Sequence, residues 1–240
     1  MGMQALLHVV YPPQCLTCDA RVTTDFGLCG ECWSQTPFII GLTCTKCGTP
    51  LPGEDSSPEV LCDDCLTTAR PWNNGRAALV YKDNARKLVL ALKHGDRIDL
   101  ARPATTWMAR AAQPILVPGM LVAPVPLHWT RLLKRRYNQA ALLSAGVAKI
   151  AGLEHCPDLL QRRRSTGSQD DRSRDGRFAN MSGALTAHPR HAARIDGRHI
   201  LLIDDVMTSG ATLASAAEAC IAAGAGDVSV LVMARVTRDG

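Results

Sequence analysis

The sequence contains few aromatic residues and no long apolar run. Tryptophan, tyrosine and phenylalanine make up 4% of its 240 residues, which argues against a protein that stacks the bases of single-stranded nucleic acid on aromatic side chains. No apolar stretch approaches the roughly 20 residues of a membrane-spanning helix, so we expect no membrane insertion. Residues 1–11 lack the basic start of a signal peptide, and Pro12-Pro13 ends their short apolar stretch. A cytoplasmic location is therefore expected.

Cysteine, in contrast, is abundant, and eight of the 10 cysteines form four Cys-x-x-Cys pairs in the first third of the chain. Two such pairs supply the four thiolates of a structural zinc site, which has no open position for catalysis. A disulfide or redox function is disfavoured because the expected compartment is reducing and no thioredoxin-like pattern surrounds the pairs. The spacing permits a crossed pairing, but the simplest arrangement is two Zn²⁺ sites in chain order: Cys15, Cys18, Cys29 and Cys32, then Cys44, Cys47, Cys62 and Cys65.

Net charge gives little support to a nucleic-acid partner. The chain has a formal charge of +5, and a basic chain can attract nucleic acid. Eight thiolates and two Zn²⁺ would add a charge of about −4 and leave the protein with a net charge of about +1. With 46% hydrophobic and 20% charged residues, the chain is an ordinary globular protein, large enough for one α/β domain and a small module.

The cysteines stop near Arg70, and alternating strand and helix patterns begin there. We therefore predict a zinc-binding module in residues 1–71 and an α/β domain in residues 72–240. Strands alternating with helices favour a parallel sheet with helices on both faces. The patterns predict strands over 77–81, 120–125, 200–203 and 228–233, and helices over 84–95, 100–112, 139–151 and 212–223.

The strongest functional pattern lies in residues 200–212. Four aliphatic residues of an expected buried strand precede Asp204 and Asp205, and open α/β sheets bind ligands at the carboxyl ends of their strands. A loop at a helix N-terminus follows and offers backbone amides to a phosphate. The pattern predicts a ligand with a phosphate at one end and sugar hydroxyls or a metal ion at the other. The loop consists of Thr208, Ser209, Gly210, Ala211 and Thr212.

Three other interpretations of the acidic pair were weighed. Nucleotide hydrolases also carry an acidic pair after an apolar strand, but they need an upstream phosphate loop ending in Gly-Lys, and this sequence contains no Gly-Lys dipeptide. Receiver domains carry their acidic pair near the start of the chain, whereas this pair lies close to its C-terminus. The remaining alternative is a solvated turn at a strand end, followed by a capped helix.

Two basic segments suit a phosphorylated ligand. Arg131 and Arg135 follow the strand expected over 120–125, where cations favour a pyrophosphate, although a solvated basic turn would have the same sequence. The stretch from Leu160 to Asn180 is polar and rich in arginine, and it includes Arg174 and Arg177. Such a stretch predicts a lid over phosphates, or else a surface loop that contacts nucleic acid weakly.

These segments together resemble the ComF family of competence-associated phosphoribosyltransferase-like proteins. The resemblance covers nearly the whole chain and includes the cysteine pairs and the acidic motif. The family usually has glycine at the position of Arg136. Three further segments carry the resemblance: Leu92-Lys93-His94-Gly95, Pro124-Val125-Pro126-Leu127-His128, and Arg135 to Gln139.

The resemblance implies a type I phosphoribosyltransferase fold, preceded by a double zinc ribbon, and binding of phosphoribosyl pyrophosphate (PRPP). Asp204 and Asp205 would hold the ribose 2′- and 3′-hydroxyls, directly or through Mg²⁺, and the loop from Thr208 to Thr212 would bind the 5′-phosphate. The resemblance also implies roles for five cations. Lys93, Arg131 and Arg135 are candidates for the pyrophosphate, and Arg174 and Arg177 for the lid.

Two functions follow as expectations. The first is a Mg²⁺-dependent phosphoribosyltransferase, linked to DNA uptake, whose nitrogen acceptor no motif identifies. The alternative is a non-catalytic scaffold or DNA-binding accessory protein of the competence machinery. In that case the zinc ribbons would contact single-stranded DNA or a DNA-uptake ATPase.

Overall fold

A parallel sheet of five strands organises the C-terminal part of the chain. The structure is a computed structural model that describes residues 11–54, 59–94, 97–127, 137–162 and 183–237. The order in the sheet is β1-β7-β6-β2-β3, and β4 and β5 form a separate antiparallel pair. The strands are β1 (Asn74–Val80), β2 (Leu121–Pro124), β3 (Glu154–His155), β4 (Leu160–Arg162), β5 (Leu185–Ala187), β6 (His199–Met207) and β7 (Asp227–Arg235).

Helices cover both faces of this sheet. Successive residues of a strand point to opposite faces, so Leu201 and Ile203 belong to one apolar cluster while Ile200 and Leu202 belong to another. The described α-helices are α1 (Gly30–Ser34), α2 (Asp63–Thr67), α3 (Asp83–His94), α4 (Ala101–Ala112), α5 (Gln139–Ala151), α6 (Ala192–Ile195) and α7 (Ala211–Ala222). The first cluster includes residues of α3, α4 and α5, and the second includes residues of α7 and the second group of four cysteines.

The predicted parallel sheet with helices on both faces, behind a cysteine-rich module, is confirmed. Helix α5 has the predicted bounds because local signals set both ends. The Asn138 side chain accepts a hydrogen bond from the Ala140 amide at its start, and Gly152 takes the left-handed conformation, with φ 65°, at its end. No helix in the described part of the chain has the length and apolar character needed to cross a bilayer.

Two predictions about the strands were wrong. The motif strand was expected to end at Ile203, but β6 continues to Met207 because β7 pairs with it along its whole length. The polar stretch expected from Leu160 begins instead with β4, since Leu160 is buried and β5 offers it a partner. Gly95, expected to end α3, lies outside the described residues.

The cysteine module packs directly on the sheet. The Gly75 amide donates to the Thr45 carbonyl at 2.7 Å, and the Ile39 amide donates to the Ala78 carbonyl at 2.9 Å, so chain segments of the module run along β1. Trp72 is 1% exposed, and its indole nitrogen donates to the Lys46 carbonyl at 2.6 Å. This packing places the second group of cysteines near the carboxyl edge of β6.

Candidate functional site

The eight paired cysteines form two separate groups of four. Within each group the sulfur atoms lie within 4.8 Å of one another, and the grouping follows chain order rather than the crossed alternative. This donor set fits zinc, because four thiolates complete its tetrahedral shell. The groups are centre 1, Cys15, Cys18, Cys29 and Cys32, and centre 2, Cys44, Cys47, Cys62 and Cys65.

The sulfur separations also fit a metal ion better than a disulfide. The Cys18 and Cys29 sulfurs are 3.7 Å apart in centre 1, and the Cys47 and Cys62 sulfurs are 3.5 Å apart in centre 2. A disulfide bond is about 2.0 Å long, whereas two thiolates on one tetrahedral Zn²⁺ lie about 3.8 Å apart. Both centres are therefore structural zinc sites with all four positions filled by protein.

A third group of possible ligands was not foreseen from the sequence. Cys156, Asp158 and His191 offer atoms within 4.8 Å of one another. The Arg194 guanidinium donates to the Cys156 sulfur at 3.0 Å, and His191 pairs with Asp158 at 2.9 Å. Arg194 already supplies positive charge where a metal cation would lie, so no metal is assigned to this group.

The acidic pair lies at the carboxyl edge of the sheet, beyond the end of a neighbouring strand. Strand β2 pairs with β6 only as far as Ile203, so among the described residues Asp204 and Asp205 have no partner strand on that side. The Asp204 carboxylate accepts a hydrogen bond from the Asp205 amide at 2.8 Å. Asp205 pairs with Lys93 of α3 at 3.1 Å, and both of these side chains are largely buried. The structure therefore brings together three of the side chains predicted to bind the ligand.

The sequence motif after β2 connects the same elements. The Tyr137 hydroxyl donates to the Leu92 carbonyl at 2.7 Å, and the Asn138 side-chain amide donates to the Val125 carbonyl at 3.1 Å. These bonds tie the end of α3, the end of β2 and the start of α5 to one another. Lys93, which lies beside the acidic pair, therefore directly follows a residue whose carbonyl is anchored.

Asp204 has a perturbed acidity. Burial raises its pKa from 3.8 to about 7, and the negative charge of Asp205 contributes in the same direction. The folded protein consequently keeps a proton that the unfolded chain releases between about pH 4 and pH 7. The free energy of unfolding should therefore fall as pH rises through this window.

Replacing Asp204 with asparagine is expected to stabilise the zinc-loaded protein, measured without Mg²⁺, most strongly above pH 7. We expect a rise in Tm of roughly 2–6 °C at pH 8 and a smaller rise at pH 5.5. Thermal unfolding at several pH values measures this difference. An advantage that did not change with pH would show that Asp204 stays ionised in the folded state. Asp227→Asn, at the exposed amino end of β7, is the control and should show no such trend.

The loop after β6 has the free amides of an anion-binding site. Gly210 adopts φ 82°, and α7 begins at Ala211. The Ser209 hydroxyl accepts a hydrogen bond from the Ala211 amide at 3.4 Å. Successive unpaired amides in a turn at a helix N-terminus bind anions well. Within the part of the chain that the structure describes, no backbone hydrogen bond is donated by the amides of Thr208, Ser209, Gly210, Thr212 and Leu213.

The carbonyl groups of this loop, in contrast, are held by two arginines. Arg70 donates to the Ser209 carbonyl at 2.6 Å. Arg235 donates to the Met207 carbonyl at 3.2 Å and also to the Thr208 carbonyl. Sequence reasoning missed both residues. The sequence around Arg70 contains no motif that would indicate this role. Arg235, in contrast, is a single arginine at the end of the apolar strand β7, and that position was an indication of a buried role.

Other expected ligand-binding residues lie outside the described part of the chain: Arg131, Arg135, Arg174 and Arg177. Arg162, which the sequence placed in the polar loop, lies on β4, and its charge acts on Asp204. This arginine adds a cation to the acidic edge that sequence reasoning did not assign to it.

Comparison with known proteins gives matches to the zinc-binding part and to the whole chain. A family model described as a double zinc ribbon domain matches residues 6–72. The DNA utilization protein YhgH of Salmonella typhimurium is 28% identical over 231 residues, which cover 93% of this chain and 97% of that protein. Competence protein F of Haemophilus influenzae is 24% identical over 235 residues, which cover 95% of this chain and 93% of that protein.

Among solved structures, glutamine phosphoribosylpyrophosphate amidotransferase from Bacillus subtilis matches 59% of this chain at 19% identity, with a TM-score of 0.40. The match spans 30% of that enzyme. Competence protein ComFC of the same species is 24% identical over 241 residues, which cover 92% of this chain and 94% of that protein. The chain is thus similar to competence and DNA utilization proteins along nearly its whole length, and its cysteine module matches a double zinc ribbon.

Proposed function

We propose that the protein binds PRPP with Mg²⁺ at the carboxyl edge of its sheet and transfers the phosphoribosyl group to a nitrogen acceptor. The main observation in support is the loop from Thr208 to Thr212. Its amides are free, while Arg70 and Arg235 donate hydrogen bonds to carbonyls at the start of the loop. This loop suits the 5′-phosphate. The carboxylates of Asp204 and Asp205, on the strand just before it, suit the ribose hydroxyls and a bound Mg²⁺.

Charge explains why metal and ligand would bind together. Asp204 and Asp205 are adjacent carboxylates, and the raised pKa of Asp204, caused by burial and then by Asp205, shows that their joint ionisation is unfavourable without a cation. Bound Mg²⁺ would supply that cation and neutralise oxygens of the pyrophosphate. Lys93, already next to Asp205, adds positive charge at the same edge.

The residues of the site position the reacting groups. In the transfer, the bond between ribose C1 and the pyrophosphate oxygen breaks, and both electrons leave with the pyrophosphate. The lone pair of the acceptor nitrogen forms the new bond to C1, and the acceptor's proton passes to water. The loop amides fix the 5′ end of the sugar and the carboxylates fix its hydroxyls, which orients C1 toward the acceptor.

Calorimetric titration of the zinc-loaded protein with PRPP tests this function. We expect binding that requires Mg²⁺, and we expect Asp205→Asn to weaken it by roughly 100-fold, because a charge-assisted interaction with metal and ligand is lost. Asp227→Asn is the matched control, since its carboxylate lies at the opposite, amino end of the strands. Binding that persists unchanged in Asp205→Asn would contradict the assignment of the acidic pair.

The competing function is a DNA-handling scaffold without PRPP chemistry. Two relatives are named for DNA utilization and competence, and Trp33 in the zinc module is half exposed beside Phe38, with ring centroids 4.5 Å apart. A half-exposed tryptophan can stack on a base. A zinc-loaded protein that binds no PRPP but is retained on single-stranded DNA at moderate salt would favour this alternative.

A further inference from the structure

Zinc centre 2 and the phosphate-binding loop share two arginines. Arg70 directs one guanidinium nitrogen to the Ser209 carbonyl at 2.6 Å, although the two residues are 139 positions apart in the sequence. Its other two guanidinium nitrogens are buried. The guanidinium also interacts with the thiol of Cys65, a ligand of centre 2. Arg70 therefore contacts the loop on one side and the zinc centre on the other.

Arg235 has the same two-sided arrangement and is more deeply buried. It is 2% exposed and donates to the carbonyls of Met207, Thr208 and Val236. On its other side it lies 3.7 Å from Asp64 of helix α2 and interacts electrostatically with Cys47 of centre 2. A buried guanidinium needs nearby negative charge, and one carboxylate at 3.7 Å is a weak partner for it.

The charge of the metal centre supplies what these arginines lack. Four thiolates and one Zn²⁺ carry a net charge of about −2, which two guanidinium groups balance. Loss of the metal would release the four sulfur atoms from their shared site, and the two buried guanidinium groups would lose this fixed partner. Centre 2 thus stabilises the positions of Arg70 and Arg235, while centre 1 has no such link to the loop among the described contacts.

Peptide geometry shows what the arginines do to the loop. In a planar trans peptide the carbonyl of one residue and the amide of the next point in opposite directions, and the described residues contain no cis peptide bond. Holding the carbonyls of Met207, Thr208 and Ser209 from the protein side therefore turns the amides of Thr208, Ser209 and Gly210 outward. Those are three of the amides that donate no backbone hydrogen bond in the described structure.

We propose that Arg70 and Arg235 are positioning residues that couple zinc centre 2 to the phosphate-binding loop. Occupancy of centre 2 by zinc fixes the two guanidinium groups, and these fix the loop with its amides directed at an anion. The part of this proposal that concerns PRPP rests on the proposed function. The coupling between zinc and the loop does not, and it predicts effects in both directions: loss of zinc loosens the loop, and loss of an arginine loosens the zinc.

Zinc release from the full-length chain tests, without any ligand, whether loss of an arginine loosens the zinc. A colorimetric chelator should remove two Zn²⁺ per chain in two separate phases. We expect Arg70→Gln and Arg235→Gln to speed the phase of centre 2 by about 10-fold, because each leaves the thiolate centre with one balancing charge fewer, and to leave centre 1 unchanged. Arg70→Lys, which keeps the charge, should release zinc from centre 2 at close to the wild-type rate. Unchanged release in both glutamine variants would overturn the coupling.

Amide hydrogen exchange and calorimetry test, with matched cysteine variants, whether loss of zinc loosens the loop. Cys65→Ser disables centre 2 and Cys32→Ser disables centre 1. We expect faster exchange in residues 206–213 and at least 10-fold weaker binding of PRPP with Mg²⁺ for Cys65→Ser, and near wild-type values for Cys32→Ser. Equal behaviour of the two variants would overturn the proposal. If the wild-type protein binds no PRPP, the proposed function fails, while the exchange and zinc-release results still decide the coupling.

Discussion

Replacing Gly48 with alanine should remove the packing of zinc centre 2 on the sheet and cost at least about 3 kcal/mol of unfolding free energy. Gly48 follows the zinc ligand Cys47 and adopts φ 71°. A Cβ atom there would lie 2.5 Å from the backbone nitrogen of Ala77 and 2.8 Å from the carbonyl carbon of Arg76. Both are main-chain atoms of β1 and cannot move aside as a flexible side chain would. The turn that contains Cys47 and Gly48 would therefore have to move away from β1.

Gly41 provides the matched control for this substitution. It adopts φ 75°, and no atom lies within 4 Å of its Cβ position. Gly41→Ala should therefore cost only the backbone penalty of roughly 1–2 kcal/mol. Denaturant unfolding of the zinc-loaded variants, with zinc counted per chain, measures the difference. Similar losses in the two variants would mean that the module does not approach β1 as closely as described.

Removal of zinc should have the largest effect on the module before Trp72. Structural zinc contributes about 10–16 kcal/mol of apparent binding free energy in small zinc-binding units. Among the described residues before Trp72, Leu16 is the only buried apolar side chain apart from cysteines, and helices α1 and α2 have five residues each. We expect two Zn²⁺ per purified chain, and chelation should make the module susceptible to protease while much of the sheet and α3 to α5 persist.

Elemental analysis combined with limited proteolysis measures this effect. Cleavage should fall within the first 71 residues after chelation and should disappear when Zn²⁺ is restored. Cys156→Ser is the control, since Cys156 belongs to neither centre and its loss should change no zinc count. A chelated protein that resists protease as well as the zinc-loaded form would show that packing against β1 suffices without metal.

Much of this site was predictable from local sequence, because local chemistry produced it. The Cys-x-x-Cys spacing sets which thiolates can share a metal, and the two centres have the expected composition. The loop beginning at Thr208 is predictable because small and hydroxyl residues at a helix start leave amides free. The helix over 139–151 followed from Asn138 at one end and Gly152 at the other.

Other features depend on partners distant in sequence. The length of β6 is set by pairing with β7, so apolar residues alone placed its end four residues too early. Strand β4 was missed because its partner β5 lies beyond a polar stretch, and polarity predicted a loop. Asp204 looked like an ordinary strand-end carboxylate, but burial in the folded protein, followed by the charge of Asp205, raises its pKa.

The sequence by itself determined the metal-binding module, the alternating sheet and helices, and the acidic pair with its loop, since spacing and periodicity are properties of neighbouring residues. Tertiary structure decided which groups stand behind that loop. Arg70 precedes β1, and Arg235 is the last residue of β7. Parallel pairing of β1, β7 and β6 and the packing of zinc centre 2 bring both arginines to the carbonyls of Met207, Thr208 and Ser209. Long-range packing thus orients amides that the sequence could only predict to be present.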